Sequence, residues 1–120
     1  MFRHLVYYFL LVIPCRKLIG ARYFNKGYLS NGGKLSYSDN SARDNDGHGT
    51  QTLSTAGGNF VPGATILGGP IGTVKGGSPK ARVAAYKVCW RNRCFDADIL
   101  AAFDMAIHDG PDVISVSLGS

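Results

Sequence analysis

An apolar run, an amphipathic segment and a second apolar run follow one another in the last third of this 120-residue chain. Residues 81–88 (ARVAAYKV) and 112–118 (DVISVSL) are largely apolar, as strands covered on both faces are. Between them Ile99, Phe103 and Ile107 recur at four-residue spacing and predict one buried face of a helix. This order predicts a βαβ unit with parallel strands and a right-handed crossover, so the expected fold class is α/β.

The predicted helix has suitable residues at both of its ends. Asp96 and Asp98 offer an N-cap and negative charge in the first turn. Gly110 stands where a helix C-terminus favours positive φ, and Pro111 cannot continue the helix. We therefore expect a helix that begins near Asp96 and ends at Gly110.

The first two thirds of the chain contain one predicted strand and two turn-rich stretches. Residues 17–24 predict a short strand, whereas residues 25–46 and 57–79 are rich in turn-forming residues and are expected to be loops. The 16 glycines of the chain favour tight turns over a helical bundle. The second loop has neither G-x-G-x-x-G nor G-x-x-x-x-G-K, so we expect that it does not bind the phosphate groups of a cofactor.

The N-terminal residues form a separate apolar segment. Arg3 and His4 precede an apolar run over residues 5–13, which is similar to the n- and h-regions of a signal peptide. The run is about half of the ~18 residues that a membrane-spanning helix needs, so no stable membrane insertion is expected. Residues 14–17 lack the small residues of a cleavage site, which leaves a signal peptide as one alternative only.

The net charge of +5 is concentrated in the first part of the chain. Up to Arg43 seven basic residues accompany one acidic residue, Asp39, whereas beyond Arg43 six basic residues accompany seven aspartates. The basic residues are scattered, without a clustered stripe or a base-stacking pattern of aromatic residues. We therefore expect no nucleic-acid partner and interpret the basic segment as solvated and partly loop-forming.

The three cysteines do not indicate a zinc site. Cys15, Cys89 and Cys94 form no C-x-x-C pair. Cys89 and Cys94 bracket four residues, so either a short disulfide across a turn or two unrelated thiols is compatible with the sequence. No acidic cluster has a coordinating spacing either, and we assign no residue as a metal ligand.

The stretch N-D-G-H-G-T at residues 45–50 carries the strongest chemical signal. A lone histidine is usually structural or solvent-exposed, but Asp46 or Asn45 can cap a helix that starts at about His48. Glycines on both sides of His48 leave room for a substrate chain, and an imidazole can accept a proton. The following residues 52–57 have weak helix propensity, so such a helix needs burial to persist. His48 is therefore a candidate general base.

D-G-H-G-T followed by T-L-S-T-A-G resembles the histidine motif of the subtilisin-like serine proteases (peptidase S8 family), the plant subtilases in particular. Four further segments resemble the same family in order and spacing, and a chance match of all of them is negligible. The matching segments are residues 17–24, 77–90, 98–103 and 112–119. The resemblance implies that residues 15–120 are part of a subtilase catalytic domain, an incomplete parallel sheet with flanking helices.

The resemblance also implies an activity and roles for particular residues. His48 would be the general base of an Asp/His/Ser triad in a serine endopeptidase that acts on polypeptides without a cofactor. Ser117, Leu118 and Gly119 match the strand that pairs with the backbone of the substrate, although a plain core strand ending in a glycine turn is the alternative. The family implies an extracellular location, while the oligomeric state stays open.

Several parts of the family pattern are not found in this sequence. The catalytic aspartate of the family stands in a D-T-G or D-S-G motif, and Asp39, Asp44 and Asp46 belong instead to the loop before His48. The nucleophile, in a G-T-S-M motif, and the oxyanion-hole asparagine lie downstream of the matched segments. We expect the chain alone to be inactive, and the rival interpretation is an inactive fragment that at most binds peptides or a partner.

Residues 1–14 match nothing in the family at that place. Mis-translated or spliced sequence, or a rearranged start, explains them better than a functional signal peptide does. We therefore divide the chain into an unmatched segment, residues 1–14, and a partial catalytic domain, residues 15–120.

Overall fold

The computed structural model describes the backbone of residues 4–9 and all of residues 17–118. Cys15, Gly119 and most of the segment 1–14 lie outside the described residues. The elements of the described part are, in chain order, β1 (His4–Phe9), β2 (Leu18–Tyr23), α1 (Lys26–Ser30), α2 (His48–Gly57), β3 (Val61–Ile66), β4 (Gly69–Val74), β5 (Arg82–Lys87), β6 (Cys89–Trp90), β7 (Arg93–Cys94), α3 (Asp96–Asp109) and β8 (Val113–Ser117).

A four-stranded sheet in the order β2-β5-β1-β8 forms the centre of the fold. β2 pairs with β5 in parallel, while β1 pairs antiparallel with β5 on one side and with β8 on the other. In the register of these pairs Leu5 lies opposite Tyr86 and opposite Val116. β5 and β8 therefore run in the same direction, connected through α3, and the α/β fold class is confirmed.

The parallel sheet that we expected is limited to one pair of neighbouring strands in the described part of the chain. β2 and β5 are parallel neighbours, but β1 lies between β5 and β8 and runs against both. The sequence did not show this because a short apolar run such as residues 5–13 has the same pattern in a leader segment and in a strand. The handedness of the crossover stays a prediction.

A cluster of five buried residues packs α3 against one face of the sheet. Ala84, Tyr86 and Val88 form a buried cluster with Ala102 and Ala106 of α3. Val88 is completely buried, and burying a valine side chain contributes roughly 1.5–3 kcal/mol relative to exposure. The two helix alanines are also completely buried. This cluster is the core of the described fold.

The buried face of α3 differs from the predicted one. Ala102 and Ala106 form its centre, Ile99 and Phe103 pack beside them, and Ile107 is 68% exposed. The prediction for Ile107 was wrong because it followed the large apolar residues, whereas the completely buried residues of α3 are alanines. The helix itself was predicted correctly, including Gly110 with φ 72° at its C-cap.

The start of α3 also differs from the prediction. Phe95 is the N-cap residue, and no side chain caps this end of the helix. Asp98 turns away from its own helix and accepts hydrogen bonds from the backbone N–H groups of Gly27 (2.7 Å) and Tyr28 (2.9 Å). Its side chain is almost completely buried, with 2% exposure, so it joins α1 to α3. Because these partners are distant in sequence, local capping rules could not find them.

Both stretches that we expected to be loops contain regular structure. Residues 25–46 include the short helix α1, and residues 57–79 include the hairpin of β3 and β4. The pairing of β3 with β4 is irregular, and Gly63 and Gly72 have positive φ there (67° and 88°). The prediction was wrong because glycine weakens a strand but is accepted in a hairpin that contains bulges.

Candidate active site around His48

His48 is the first residue of α2, at the position that the sequence predicted for the helix start. It is half-buried, and Gly47 before it has φ 96°, a conformation that glycine adopts without steric cost. Gly49, which follows it, is buried. The backbone around His48 is therefore fixed in a shape that larger residues at position 47 would strain.

Asp44, rather than Asn45 or Asp46, caps this helix start. Its carboxylate accepts hydrogen bonds from the backbone N–H groups of Gly47 (2.9 Å) and Thr50 (2.7 Å), and from the hydroxyl of Thr50 (2.7 Å). It also accepts the N–H of Asp46 at 3.0 Å. The capping prediction was wrong because Gly47 in a left-handed conformation turns the chain, so a carboxylate three residues earlier reaches the first turn.

The environment of Asp44 favours its charged form. Partial burial alone would raise the pKa of this carboxyl, but four hydrogen bonds from the Thr50 hydroxyl and from three backbone N–H groups outweigh that effect. The pKa of Asp44 therefore lies well below its ordinary value. A carboxylate that stays ionised at neutral pH also complements the positive end of the α2 dipole.

The C-terminal end of α2 is held by the segment that follows the β3–β4 hairpin. Gly77 donates its N–H to the carbonyl of Thr55 (2.9 Å), and Ser78 donates to that of Ala56 (2.9 Å). Gly76 lies so close to the helix end that an added Cβ would come within 2.3 Å of Gly58 N. Because α2 has weak intrinsic helix propensity, these tertiary contacts at both of its ends keep it in place.

The described residues of the predicted substrate-binding segment lie at the end of β8, whereas His48 lies on α2. Ser117 ends β8, and Leu118 packs partly buried against the core cluster. Gly119 lies outside the described residues. α2 contacts β1 and β5, while β8 is the outer strand beside β1 in the described sheet. β8 therefore pairs on one side only within the described residues, which leaves backbone groups for another strand.

Cys89 and Cys94 are joined by a disulfide, with an Sγ–Sγ distance of 2.00 Å and a Cα–Cα distance of 4.3 Å. They are paired residues of the β6–β7 hairpin. Between them Arg91 and Asn92 have positive φ (45° and 62°), as a tight two-residue hairpin turn requires. Trp90, in the same hairpin, is buried and donates its Nε1–H to the carbonyl of Phe24 (2.7 Å).

Neither a metal-binding cluster nor a membrane-spanning helix is found among the described residues. They contain no group of three or more His, Cys, Asp or Glu side chains that could hold a metal ion. No helix among them is long and apolar enough to cross a bilayer.

The sequence that forms the glycine-flanked histidine, its helix and the sheet matches a known protein family. The subtilase family model matches residues 17–120. The chain is 69% identical over 108 residues to the subtilisin-like protease SBT5.3 of Arabidopsis thaliana, which covers 87% of this chain and 14% of that protein. It is 64% identical over 113 residues to SBT5.4 of the same plant, covering 89% and 14%.

A soybean (Glycine max) subtilisin-like protease is 61% identical over 108 residues, again covering 87% of this chain and 14% of the relative. The chain therefore belongs to the subtilase family, and the resemblance inferred from its motifs is confirmed. It spans about 14% of the length of these relatives.

Proposed function

We propose that this chain is the histidine-bearing part of a serine endopeptidase and that His48 is its general base. The observation that carries the proposal is the fixed position of His48 in the first turn of α2, where Asp44 holds the residues on both sides of it with four hydrogen bonds. A general base has to be held in one place relative to the group whose proton it takes.

In this role His48 takes the proton of a serine hydroxyl as that oxygen attacks the peptide carbonyl. It then gives the proton to the leaving amine. The serine and the carboxylate that orients the imidazole are assigned to no residue of this chain, so they would come from other parts of a complete protease. The chain alone would then form no acyl-enzyme.

The end of β8 is proposed as the place where the substrate binds. Ser117, Leu118 and Gly119 would pair through their backbone with an extended polypeptide, which adds a strand to the sheet. The open side of β8 within the described residues supports this assignment. Main-chain pairing gives affinity with little selectivity for side chains, so the preferred substrate residue has to be set elsewhere.

The disulfide between Cys89 and Cys94 supports an extracellular location for the protein. The Cys89–Cys94 disulfide would persist in secreted proteins and is rare in the cytosol.

The test uses a complete protease that carries this segment. In the graft enzyme, residues 17–118 of this chain replace the matching segment of Arabidopsis SBT5.3, to which the chain is 69% identical. His48→Ala should lower kcat by several orders of magnitude and leave KM nearly unchanged, because a general base acts mainly in the transition state. His108→Ala is the matched control, since His108 is largely exposed on α3. A His48→Ala enzyme that keeps more than about a tenth of kcat would show that His48 is structural, because general acid–base catalysis contributes at least ~10²-fold.

The second candidate function is an inactive fragment that binds peptides, favoured by the side of β8 that has no partner strand among the described residues. The purified 120-residue chain should not react with a serine-directed fluorophosphonate. Stoichiometric labelling of the chain would contradict the assignment of the nucleophile to another part of the protein.

A further inference from the structure

Lys87 is a buried lysine at the end of β5, with 6% exposure. Successive side chains of a strand point to opposite faces, so Lys87 points away from the face on which Tyr86 packs against α3. Its ammonium group donates hydrogen bonds to the backbone carbonyls of Arg43 (2.7 Å) and Ser41 (3.3 Å). Lys87 is therefore hydrogen-bonded to the loop that precedes α2, the helix of His48.

The loop that Lys87 binds continues directly into Asp44. Arg43, whose carbonyl accepts the shorter of the two hydrogen bonds, is adjacent to Asp44 in the chain. Asp44 in turn fixes Gly47 and Thr50, the residues on either side of the first two positions of α2. An unbroken sequence of contacts therefore runs from Lys87 to the backbone of His48.

Trp90 makes a further contact with the ammonium group of Lys87. The Nζ atom of Lys87 lies 4.2 Å from the centre of the Trp90 ring, a cation–π contact. The ring is fixed by its hydrogen bond to Phe24 and by the disulfide-closed hairpin of β6 and β7. The ammonium group of Lys87 therefore contacts the Trp90 ring and the carbonyls of Ser41 and Arg43.

Burial of a cation is costly unless polar or charged groups compensate for the lost water. Burial lowers the pKa of Lys87, while the carboxylates of Asp44 and Asp39 act in the opposite direction. Apart from the Trp90 ring, the groups that compensate for the lost water therefore belong to the segment before His48. This arrangement makes the position of that segment depend on the ammonium group.

We propose that Lys87 is a positioning residue for His48, which holds the loop at residues 41–44 so that Asp44 can cap the start of α2. The proposal rests on the proposed function of His48 as general base. It adds a residue that touches neither substrate nor reacting atoms and acts through Ser41, Arg43 and Asp44.

The test measures kinetics in the graft enzyme. Lys87→Met keeps the length of the side chain but removes the charge and the donors. We expect kcat to fall by about 10- to 100-fold with KM changed less than twofold, because a displacement of a catalytic group by ~1 Å can cost ~10²-fold. Lys80→Met is the matched control, since Lys80 is an exposed lysine, and it should leave both constants unchanged.

Hydrogen exchange separates positioning from a general loss of stability. In Lys87→Met the amides of residues 44–50 should exchange up to about fivefold faster, which is the effect expected for complete loss of the cap, while those of β5 should change less than twofold. In the double variant Asp44→Ala/Lys87→Met the loss of kcat should not exceed the larger of the two single losses, since both residues act through the same cap. Additive losses, equal acceleration of exchange in β5, or a kcat within threefold of the parent would each overturn the proposal.

The exchange result does not depend on the chemistry of His48. If His48→Ala kept its activity, or if the parent graft enzyme were inactive, the proposed function would fail. Faster exchange confined to residues 44–50 in Lys87→Met would then still establish that Lys87 holds this segment. Unchanged exchange there would overturn the inference about Lys87 even if His48 proved to be the general base.

Discussion

Asp44 binds Thr50 twice, through 2.7 Å hydrogen bonds from the backbone N–H and from the side-chain hydroxyl. Thr50 is the third residue of α2, so its N–H is one of the groups at the helix start that has no partner within the helix. Asp44 therefore acts as a helix cap from outside the usual capping position. The orientation of the first turn, which contains His48, depends on this pair.

The first prediction concerns the cap itself. Asp44→Ala in the graft enzyme should weaken the start of α2 by about 1 kcal/mol, as loss of a side-chain cap does, and accelerate amide exchange over residues 47–52 about fivefold. Asp46→Ala is the control, because Asp46 is an exposed aspartate in the same loop and serves here as a donor through its backbone. If both variants, or neither, accelerated exchange, Asp44 would not be the cap.

The second prediction concerns pH. Because hydrogen bonding holds the pKa of Asp44 below its ordinary value, the folded state binds this proton less readily than the unfolded state does. The stabilisation is fully present above the ordinary value of 3.8 and is lost as pH falls through the lowered pKa. The ratio of exchange rates over residues 47–52 between Asp44→Asn and the parent should therefore be constant from pH 7 to about pH 5 and shrink below about pH 4. A ratio that stayed constant at the lowest accessible pH would contradict the shift.

The sequence predicted elements best where one local pattern dominated. β5, α3 and β8 have strong periodicity and clear ends, and Gly110 marks the end of the helix as expected. The hairpin of β3 and β4 was missed because its glycines and its two prolines resemble a loop. The place of β1 between β5 and β8 depends on pairing between distant segments, which no local pattern contains.

The candidate site shows the same division between local and distant information. The start of α2 at His48 follows from glycines and a capping group nearby, and it was predicted correctly, although the capping residue was wrong. Asp44 could have been found from its position three residues before a glycine that turns the chain. Lys87 gave no such signal, because a lysine within an apolar strand is recognised as a loop anchor only when its partners at Ser41 and Arg43 are known.

The third prediction concerns the close approach at the C-terminal end of α2. In Gly76→Ala the new Cβ would lie 2.3 Å from Gly58 N and 2.6 Å from the carbonyl oxygen of Ser54, and backbone atoms cannot rotate away. We expect a destabilisation of roughly 1–3 kcal/mol, seen as faster amide exchange over residues 53–58 and 76–78. Gly77→Ala is the matched control, because its nearest contact would be 3.5 Å. Equal effects of the two substitutions would show that the approach is looser than described.

The fourth prediction concerns the disulfide hairpin. Replacing both Cys89 and Cys94 by Ser removes a loop closure of five residues' separation and should destabilise the hairpin by about 2 kcal/mol on the chain-entropy estimate. Amide exchange over residues 89–94 of the graft enzyme should rise by up to about thirtyfold. A smaller rise is expected over residues 44–50, because Trp90 supports Lys87. Arg93→Ser, in the same hairpin with the disulfide intact, is the control, and no change over residues 89–94 in the double variant would contradict the prediction.

The fifth prediction concerns the chain on its own. Large apolar side chains are exposed on α3 and on β8: Leu100 63%, Ile107 68%, Val113 55% and Val116 46%. β8 is also an outer strand of the described sheet, and an outer strand with exposed apolar residues promotes association. In the complete relatives, of which the matched segment is only 14%, other segments are available to cover such surfaces.

We therefore expect the 120-residue chain, expressed alone, to self-associate or to lack a fixed tertiary structure. A urea titration followed by near-UV circular dichroism should show no cooperative transition, and sedimentation should show species larger than a monomer. The variant Leu100→Gln/Ile107→Gln, which changes two exposed positions on α3, should reduce association and leave the far-UV spectrum unchanged. A monomer that unfolds in one cooperative transition would show instead that this segment is a self-sufficient domain, and it would favour the peptide-binding fragment over the protease segment.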